Sequence, residues 1–310
     1  MGYFHVVFTL PERIAEVALQ NKALLYDILF RTSAETMQEI AADPKYLGAE
    51  IGFLSVLHTW GQNLLHHPHV HCVVPGGGLA PDGEHWVACR KNFFLPVRVL
   101  SRVFRGKFLE RLRLAYDRGE LVFHGSLAKY RERATFRELL KETYGQEWVV
   151  YAKPPFGGPE QVLKYLARYT HRVAISNQRL RSMEGDRVSF EWKDYARGQV
   201  RRTMTLAVIE FIRRFLLHVL PAHFVRIRQY GFLANCQRQA KLDVCRRLLE
   251  VSRAAEPNPG HESSVIEPDG SIEATADRCP HCGAGTLRTV ETRPRPTTQG
   301  VFQSWPFDSS

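Results

Sequence analysis

The hydrophobic pattern of the chain changes repeatedly between strand-like and helix-like segments. Short apolar runs rich in β-branched residues predict strands, and apolar positions spaced three and four apart predict amphipathic helices. We predict strands at 3–11, 49–60, 69–74, 84–89 and 147–156, and a hairpin at 179–195 that turns at Glu184-Gly185-Asp186. We predict helices at 12–43, 97–118, 126–142, 159–172, 205–219 and 235–250.

The order of these elements predicts an α+β fold, because strands and helices mix without regular βαβ alternation. From Ala254 onward the composition shifts to Pro, Ser, Glu and Gly, and seven of the 17 prolines lie there. Such a segment cannot bury enough apolar surface to fold, so we predict a disordered tail. The predicted organisation is a folded body at 1–253, ending in a helical region, and a flexible tail at 254–310.

Charge is unevenly distributed along the 310 residues, whose formal net charge is +10. The tail holds eight acidic and four basic residues, which leaves about +14 on the body. A strongly basic body favours a polyanionic partner, most simply nucleic acid, over a generally basic protein without one. The sequence has neither an apolar run that could span a bilayer nor a signal-peptide pattern, and its cysteines are scattered. We expect a cytoplasmic protein with no membrane partner.

Histidines cluster in the segment HHPHVHCVVPGGG, residues 66–78. If residues 69–74 form a strand, His69 and His71 share one face, while the apolar opposite face packs on helices. Two imidazoles on one face can bind a single metal ion, although two ordinary polar histidines would give the same pattern. We predict a metal site here. The candidates for a third ligand are Gln62, His58 and His67, and open N/O coordination suits Mg²⁺ or Mn²⁺ acting on phosphate.

A pair of tyrosines lies on the predicted helix PEQVLKYLARYTHR, residues 159–172. Tyr165 and Tyr169 are one helical turn apart, at the border between an apolar arc and a basic face. That face carries Lys164, Arg168 and Arg172. Half-buried tyrosines of this kind often only anchor a helix. A phenol beside cations is also suited to attack a phosphodiester, because cations favour the phenolate and bind phosphate.

Together these motifs resemble the HUH superfamily of single-strand DNA nucleases, and in particular its two-tyrosine rolling-circle insertion-sequence transposases. His69-Val70-His71 resembles the signature His-hydrophobic-His, and Tyr165 and Tyr169 resemble the tyrosine pair. Three longer blocks are similar to that family in the same order: YFHVVFTLP, LHTWGQNLLHHPHVHCVVPGGGL and VLKYLARYTHRVAISNQRL. The resemblance covers roughly residues 3–250.

The resemblance implies a compact antiparallel sheet with the histidine strand at its centre and the tyrosines on a helix beside it. It implies a transposase that nicks and rejoins single-stranded DNA through 5′-phosphotyrosine intermediates, with a divalent ion that polarises the scissile phosphate. It also favours Gln62 as the third ligand, because related nucleases carry an acidic or amide residue several positions before the histidine pair. The chain contains no phosphate-binding Gly-x-x-x-x-Gly-Lys-Ser/Thr loop, so we expect a host helicase or the replication machinery to separate the strands.

Two features depart from the family pattern. The family usually begins with a cysteine-rich zinc module, which is missing before the first strand, so the chain is expected to be a shortened copy. In the tail, Cys279 and Cys282 of CPHCGAG resemble half of a zinc knuckle, but a four-ligand site needs a second pair. Zinc binding in the tail is therefore left open.

Two alternatives to the transposase remain. A relaxase or replication initiator would use the same chemistry on another DNA. A truncated, non-catalytic DNA-binding remnant would keep the basic surface and lose the reaction. Formation of a covalent protein–DNA product separates the remnant from the enzymes.

Overall fold

The computed structural model describes residues 2–156, 174–194, 198, 200–255, 277–278 and 286–287. The chain separates into two compact units, Met1–Pro257 and Asn258–Ser310. In the second unit the described residues form a short antiparallel ladder, Asp277–Arg278 with Thr286–Leu287. The boundary at 253/254 and the disorder of the tail stay predictions, and Cys279 and Cys282 lie outside the described residues.

A five-stranded antiparallel sheet forms the centre of the first unit. Its strands in chain order are β1 (Tyr3–Thr9), β2 (Gly52–Trp60), β3 (His66–Pro75), β6 (Val150–Phe156) and β10 (Ile227–Gly231). Their order across the sheet is β10-β2-β3-β1-β6, which makes the histidine strand β3 central. The α+β class and the antiparallel sheet covered by helices are thereby confirmed.

Helices pack on one face of this sheet. They are α1 (Glu12–Gln20), α2 (Lys22–Ala42), α3 (Val97–Asp117) and α4 (Arg133–Gly145), and later helices follow at α5 (Val208–Leu216) and α6 (Arg238–Ala255). The sheet residues on this face are apolar and buried, among them Phe8, Phe53 and Val70. The histidines lie on the opposite face, because successive side chains of a strand point to opposite sides.

Two smaller sheets complete the described fold. A hairpin joins β4 (Gly77–Leu79) to β5 (Trp86–Ala88). A three-stranded sheet contains β7 (Leu180–Glu184), β8 (Arg187–Asp194) and β9 (Val200–Ala207), and its first turn contains Gly185 at φ +56°, as the sequence predicts. Among the described residues, no helix has the length and apolar character needed to cross a bilayer.

Several sequence predictions are wrong at the level of single elements. The helix predicted at 12–43 is two helices that meet at Asn21, whose side-chain amide donates to the Val17 and Val122 carbonyls and so competes with the helical backbone. The segment 126–142 starts with a 3₁₀ turn, Gly125–Arg131, before α4. Strand β9 takes the first residues of the helix predicted at 205–219, and β10 has no counterpart among the predicted strands.

An aromatic cluster joins the sheet to α3 at the centre of the core. The Phe104 ring lies 5.0 Å from Phe8 and 5.4 Å from Trp148, both edge to face, and 6.0 Å from Phe108. The Trp148 indole donates to the Thr143 carbonyl at the end of α4. This cluster fixes the segment before β6 against the helix-covered face of the sheet.

We predict that Phe104→Ala lowers the free energy of unfolding by about 3–5 kcal/mol, because a fully buried ring leaves a cavity that its neighbours fill only partly. Phe104→Leu keeps most of the volume and should cost clearly less. Urea unfolding followed by circular dichroism measures both. A loss below about 1 kcal/mol for Phe104→Ala would show that the cluster does not anchor the sheet.

Candidate functional site

Two adjacent strands bring three histidines to one place on the open face of the sheet. In the register of β2 and β3, His58 lies directly opposite His69, and Val56 lies opposite His71. His69 and His71 are two residues apart on β3 and therefore share the face that the sequence predicts. His58 is buried, and His69 and His71 are half-buried.

The three imidazoles are close enough to act together. Ring centroids are 4.2 Å apart for His58 and His71, 4.7 Å for His69 and His71, and 5.4 Å for His58 and His69. One ring nitrogen from each residue lies within 4.8 Å of the others. Metal–nitrogen bonds of about 2.1 Å place neighbouring ligands of one ion about 3.0–3.4 Å apart. Binding one ion therefore requires the side chains to rotate toward one another.

Hydrogen bonds hold two of these rings by their Nδ1 atoms. The His69 Nδ1–H group donates to the His67 carbonyl oxygen at 2.6 Å. His71 Nδ1 lies 2.7 Å from Nε2 of His5, a buried residue of β1, and the two rings stack nearly parallel at 5.0 Å. With Nδ1 engaged in both residues, Nε2 is the nitrogen that each can offer to a ligand.

Burial keeps these histidines neutral at physiological pH. Desolvation lowers the pKa of His69 to about 4, helped by the neighbouring His67. It lowers the pKa of His5 to about 4 as well, with a smaller contribution from the charge of Lys153. The pKa values of His58 and His71 also fall well below the usual value, again mainly through burial. Neutral imidazole is the form that binds metal ions.

A pocket of about 840 Å³ opens over the histidines. The turn between β2 and β3 forms one wall, and Trp148, Val149 and Tyr151 form another. Two exposed carboxylates, Glu12 and Glu147, also line it. The pocket is therefore polar at its mouth and large enough for a nucleotide-sized group.

Other histidines nearby have structural roles. His66 shares a hydrogen bond of 2.8 Å with the buried hydroxyl of Tyr26. His218 bridges Thr59 and the Leu64 carbonyl across 3.2 and 3.0 Å. His66 thus joins β3 to α2, and His218 joins the end of β2 to the turn that follows it.

The structure brings some of the predicted site residues together and does not describe others. His69 and His71 come together as expected. Gln62 lines the same pocket, and its backbone carbonyl accepts a hydrogen bond from Arg179. His58, which the sequence ranks behind Gln62, joins the histidine pair directly. Tyr165, Tyr169, Lys164, Arg168 and Arg172 lie outside the described residues.

Two residues of this site have no part in the sequence predictions. His5 lies beside His71 on the same face because β1 pairs with β3, and Tyr151 reaches that face because β6 pairs with β1. Val7 lies between His71 and Tyr151 in that row. Alternation within β1 and β6 shows which residues share a face with His5 and with Tyr151. To place them beside His71 also requires the pairing of the strands, which no single segment of sequence contains.

Comparison with known proteins places the chain among transposases. Residues 52–240 match the family Y2_Tnp, described as "Putative transposase". The chain is 58% identical over 293 residues to "Putative transposase y4qJ" of Sinorhizobium fredii, covering 93% of this chain and 73% of that protein. It is 30% identical over 293 residues to the "Transposase for insertion sequence element IS801" of Pseudomonas savastanoi pv. phaseolicola, covering 92% and 67%.

Solved structures give a weaker likeness. The chain matches the conjugative relaxase TrwC in complex with OriT DNA, in metal-free and metal-bound structures, with a TM-score of 0.31 and 13% identity in both. The match to the metal-free structure covers 79% of this chain and 72% of the relaxase. At this TM-score the likeness supports no statement about the ligands of this chain.

We predict that the metal-free protein loses stability as the pH falls from about 6.5 toward 4. The folded-state pKa values of the buried histidines lie below the unfolded value near 6.5, so the unfolded chain binds more protons in this range. This stability is complete above pH 6.5. Urea unfolding with a chelator present measures the trend, and His5→Gln should make it shallower by removing one titrating group. A free energy of unfolding that stays constant between pH 6.5 and 4.5 would contradict the neutral histidine cluster.

Proposed function

The chain belongs to the Y2_Tnp family of transposases, and we propose that it cuts and rejoins single-stranded DNA with a divalent metal ion and a tyrosine nucleophile. The observation that carries the proposal is the convergence of His58, His69 and His71 at the floor of an open pocket. Such a site can hold one phosphodiester beside an ion.

The three imidazoles fit a divalent ion. They are neutral, they come from adjacent strands of a rigid sheet, and two of them are oriented by hydrogen bonds at Nδ1. Metal-bound histidine almost always donates its second ring N–H to an acceptor, which is the arrangement found at His69. Nitrogen ligands favour Mn²⁺ over Mg²⁺. An oxygen from Gln62, or water, would complete the coordination in either case.

When bound, the ion would polarise the scissile phosphate and stabilise the leaving 3′ oxygen. The residues of the chain would position the phosphate and supply further positive charge. His58, His69 and His71 fix the position of the reacting phosphate above the sheet. Lys153, which lies over the Tyr151 ring at 5.8 Å on the same face, adds positive charge at the edge of the pocket.

The nucleophile proposed is the hydroxyl of Tyr165 or Tyr169. Its oxygen forms a bond to phosphorus while the bond from phosphorus to the 3′ oxygen breaks, so the products are a 5′-phosphotyrosine and a free 3′-OH after protonation. The reverse reaction with another 3′-OH restores a phosphodiester without ATP. Lys164, Arg168 and Arg172 would favour the phenolate and hold the DNA backbone.

The partners follow from this reaction. Single-stranded DNA is the substrate, both at the ends of the element and at the target, and its recognition draws on the charge of about +14 carried by residues 1–253. A host helicase or the replication machinery supplies the single strand. The match of the chain with two transposases over most of its length favours this role over a relaxase or replication initiator.

We predict that His58→Ala, His69→Ala and His71→Ala each lower Mn²⁺ affinity by at least about tenfold, because each removes one ligand from a site that has few. Isothermal titration calorimetry measures the affinity, and circular dichroism reports the fold. Gln62→Ala tests whether Gln62 is a ligand beside the three histidines, and it should lower Mn²⁺ affinity less. Unchanged Mn²⁺ binding in the His69 and His71 variants would rule out the proposed metal site.

A matched pair of variants at His5 tests how His71 is held. His5→Gln keeps an acceptor near the Nε2 position, whereas His5→Leu keeps the volume and removes the acceptor. We expect the leucine variant to bind Mn²⁺ about 10- to 100-fold more weakly and the glutamine variant to bind nearly as well as wild type. Equal losses in both would mean that His5 only packs against His71.

We predict that the double variant Tyr165→Phe/Tyr169→Phe folds and binds DNA but forms no covalent adduct, because only the two hydroxyls are removed. The assay incubates the protein and Mn²⁺ with a pool of end-labelled single strands of random sequence and detects DNA that stays attached after denaturation. Each single variant should retain partial nicking, since the helix predicted for this segment would place the neighbouring tyrosine one turn away.

Tyr151 provides the matched control. Among the described residues that line the pocket it is the sole tyrosine, and its ring is about half exposed. Tyr151→Phe should leave the adduct in place. An adduct that survives in the double variant and disappears in Tyr151→Phe would move the nucleophile to Tyr151. DNA binding without any adduct from wild type would instead support the non-catalytic remnant.

A further inference from the structure

A second cavity, of about 480 Å³, adjoins the histidine pocket. The segment Glu147–Val149 lines both cavities and so forms their common wall. On its far side the second cavity is lined by the first half of α3, with Arg98, Arg102 and Arg105 on one face of the helix. We call this cavity the arginine groove. It extends the open surface from the histidine site toward α3.

The common wall is held rigidly against α3. The hydroxyl of Ser101 donates to the Trp148 carbonyl at 2.7 Å, and the Arg105 guanidinium donates to the Gln146 carbonyl at 2.6 Å. Arg105 also stacks over the Tyr144 ring at 4.7 Å. Trp148 itself is buried in the aromatic core. The position of the groove relative to the histidines is therefore set by core packing.

The charges of α3 are paired at one end of the helix and unpaired at the other. Toward its C-terminus, Lys107 pairs with Glu39 at 2.7 Å, Arg111 with Glu35 at 2.5 Å, and Arg113 with Glu110 and Asp117 at 2.8 and 2.7 Å. At the groove, Arg98 and Arg102 are exposed, and neither forms an ion pair with any residue of the described part of the chain. The helix thus concentrates its uncompensated charge where the groove lies.

This arrangement fits a chain of phosphates. Arg98 and Arg102 are one turn apart and Arg105 lies one turn further on, so the row spans about 10 Å of helix. Guanidinium groups bind phosphate oxygens bidentately and are weakly hydrated, which favours this contact over one with water. Two neighbouring cations without anionic partners repel each other, and a phosphate backbone removes that repulsion.

We propose that the arginine groove binds the backbone of the single-stranded DNA that flanks the scissile phosphate, and that Arg98 and Arg102 are its phosphate contacts. The inference rests on the proposed function, because it takes the histidine pocket as the place of cleavage. It adds a direction to that function: the strand leaves the pocket across Glu147–Val149 and follows α3. Contacts with phosphates do not recognise bases, so they position the strand without selecting its sequence.

The test compares two double variants that remove the same charge from the same helix. Arg98→Gln/Arg102→Gln removes the two unpaired charges of the groove. Arg111→Gln/Arg113→Gln removes two arginines that form ion pairs. Fluorescence anisotropy measures binding of oligo(dT) of about four and about 16 nucleotides to each full-length protein, from about 50 to 200 mM salt. Thermal unfolding confirms that both variants fold.

For the long oligonucleotide, we expect the groove variant to bind more weakly and to lose about 0.7 from the slope of log affinity against log salt for each arginine. The short oligonucleotide should show a smaller difference between the two variants, because it offers fewer phosphates to the groove. The paired variant should retain the wild-type slope. A groove variant that binds the long strand like the paired variant overturns the proposal.

The same experiment separates this failure from failure of the proposed function. Wild-type protein that binds oligo(dT) and forms the covalent adduct, while the groove variant keeps its salt slope, rejects the groove and leaves the cleavage reaction standing. Wild-type protein that binds no single-stranded DNA at any salt concentration rejects both.

Discussion

The antiparallel register of β1, β2 and β3 is the constraint on which the site depends. A slip of one residue would turn every side chain of a strand to the other face and separate His58, His69 and His71. The opposite face prevents that slip, because its buried aromatic and aliphatic residues fit only against the helices. The hydrophobic core and the histidine site are therefore two results of the same strand alignment.

Electrostatics links the site to the rest of the surface. Three neutral imidazoles leave the full charge of a bound divalent ion available to a phosphate, whereas carboxylate ligands would cancel part of it. Burial keeps the histidines neutral, and Lys153 disfavours protonation of His5 on the neighbouring strand β1. The unpaired arginines of α3 continue this positive character away from the pocket. A polyanion can thus be attracted along the groove and bound most strongly at the ion.

Much of this could be predicted from the sequence because the determinants are local. Alternation along residues 69–74 places His69 and His71 on one face, and the turn residues around Gly185 predict the hairpin. His58 was ranked behind Gln62, because its place beside His69 depends on the pairing of β2 with β3. His5 and Tyr151 were missed for the same reason. The short edge strand β10 has too little pattern of its own, and only its pairing with β2 defines it.

The helix predictions failed where side chains compete with the backbone. Asn21 breaks a continuous helical pattern because its amide binds a carbonyl about a hundred residues away, a contact that local propensity does not contain. Strand β9 shows the opposite case, since Thr203 and Thr205 pair with Glu191 and Ser189 of β8 and draw the chain into a sheet before α5 begins. Long-range contacts thus decided the local structure at both positions.

The most direct test of the metal site is a crystal structure of the full chain grown with Mn²⁺, with anomalous diffraction locating the ion. We expect one ion bound by Nε2 of His58, His69 and His71, with Nδ1 of His71 still bonded to His5 and Nδ1 of His69 to the His67 carbonyl. An ion bound elsewhere, or histidine rings that stay apart at saturating Mn²⁺, would contradict it.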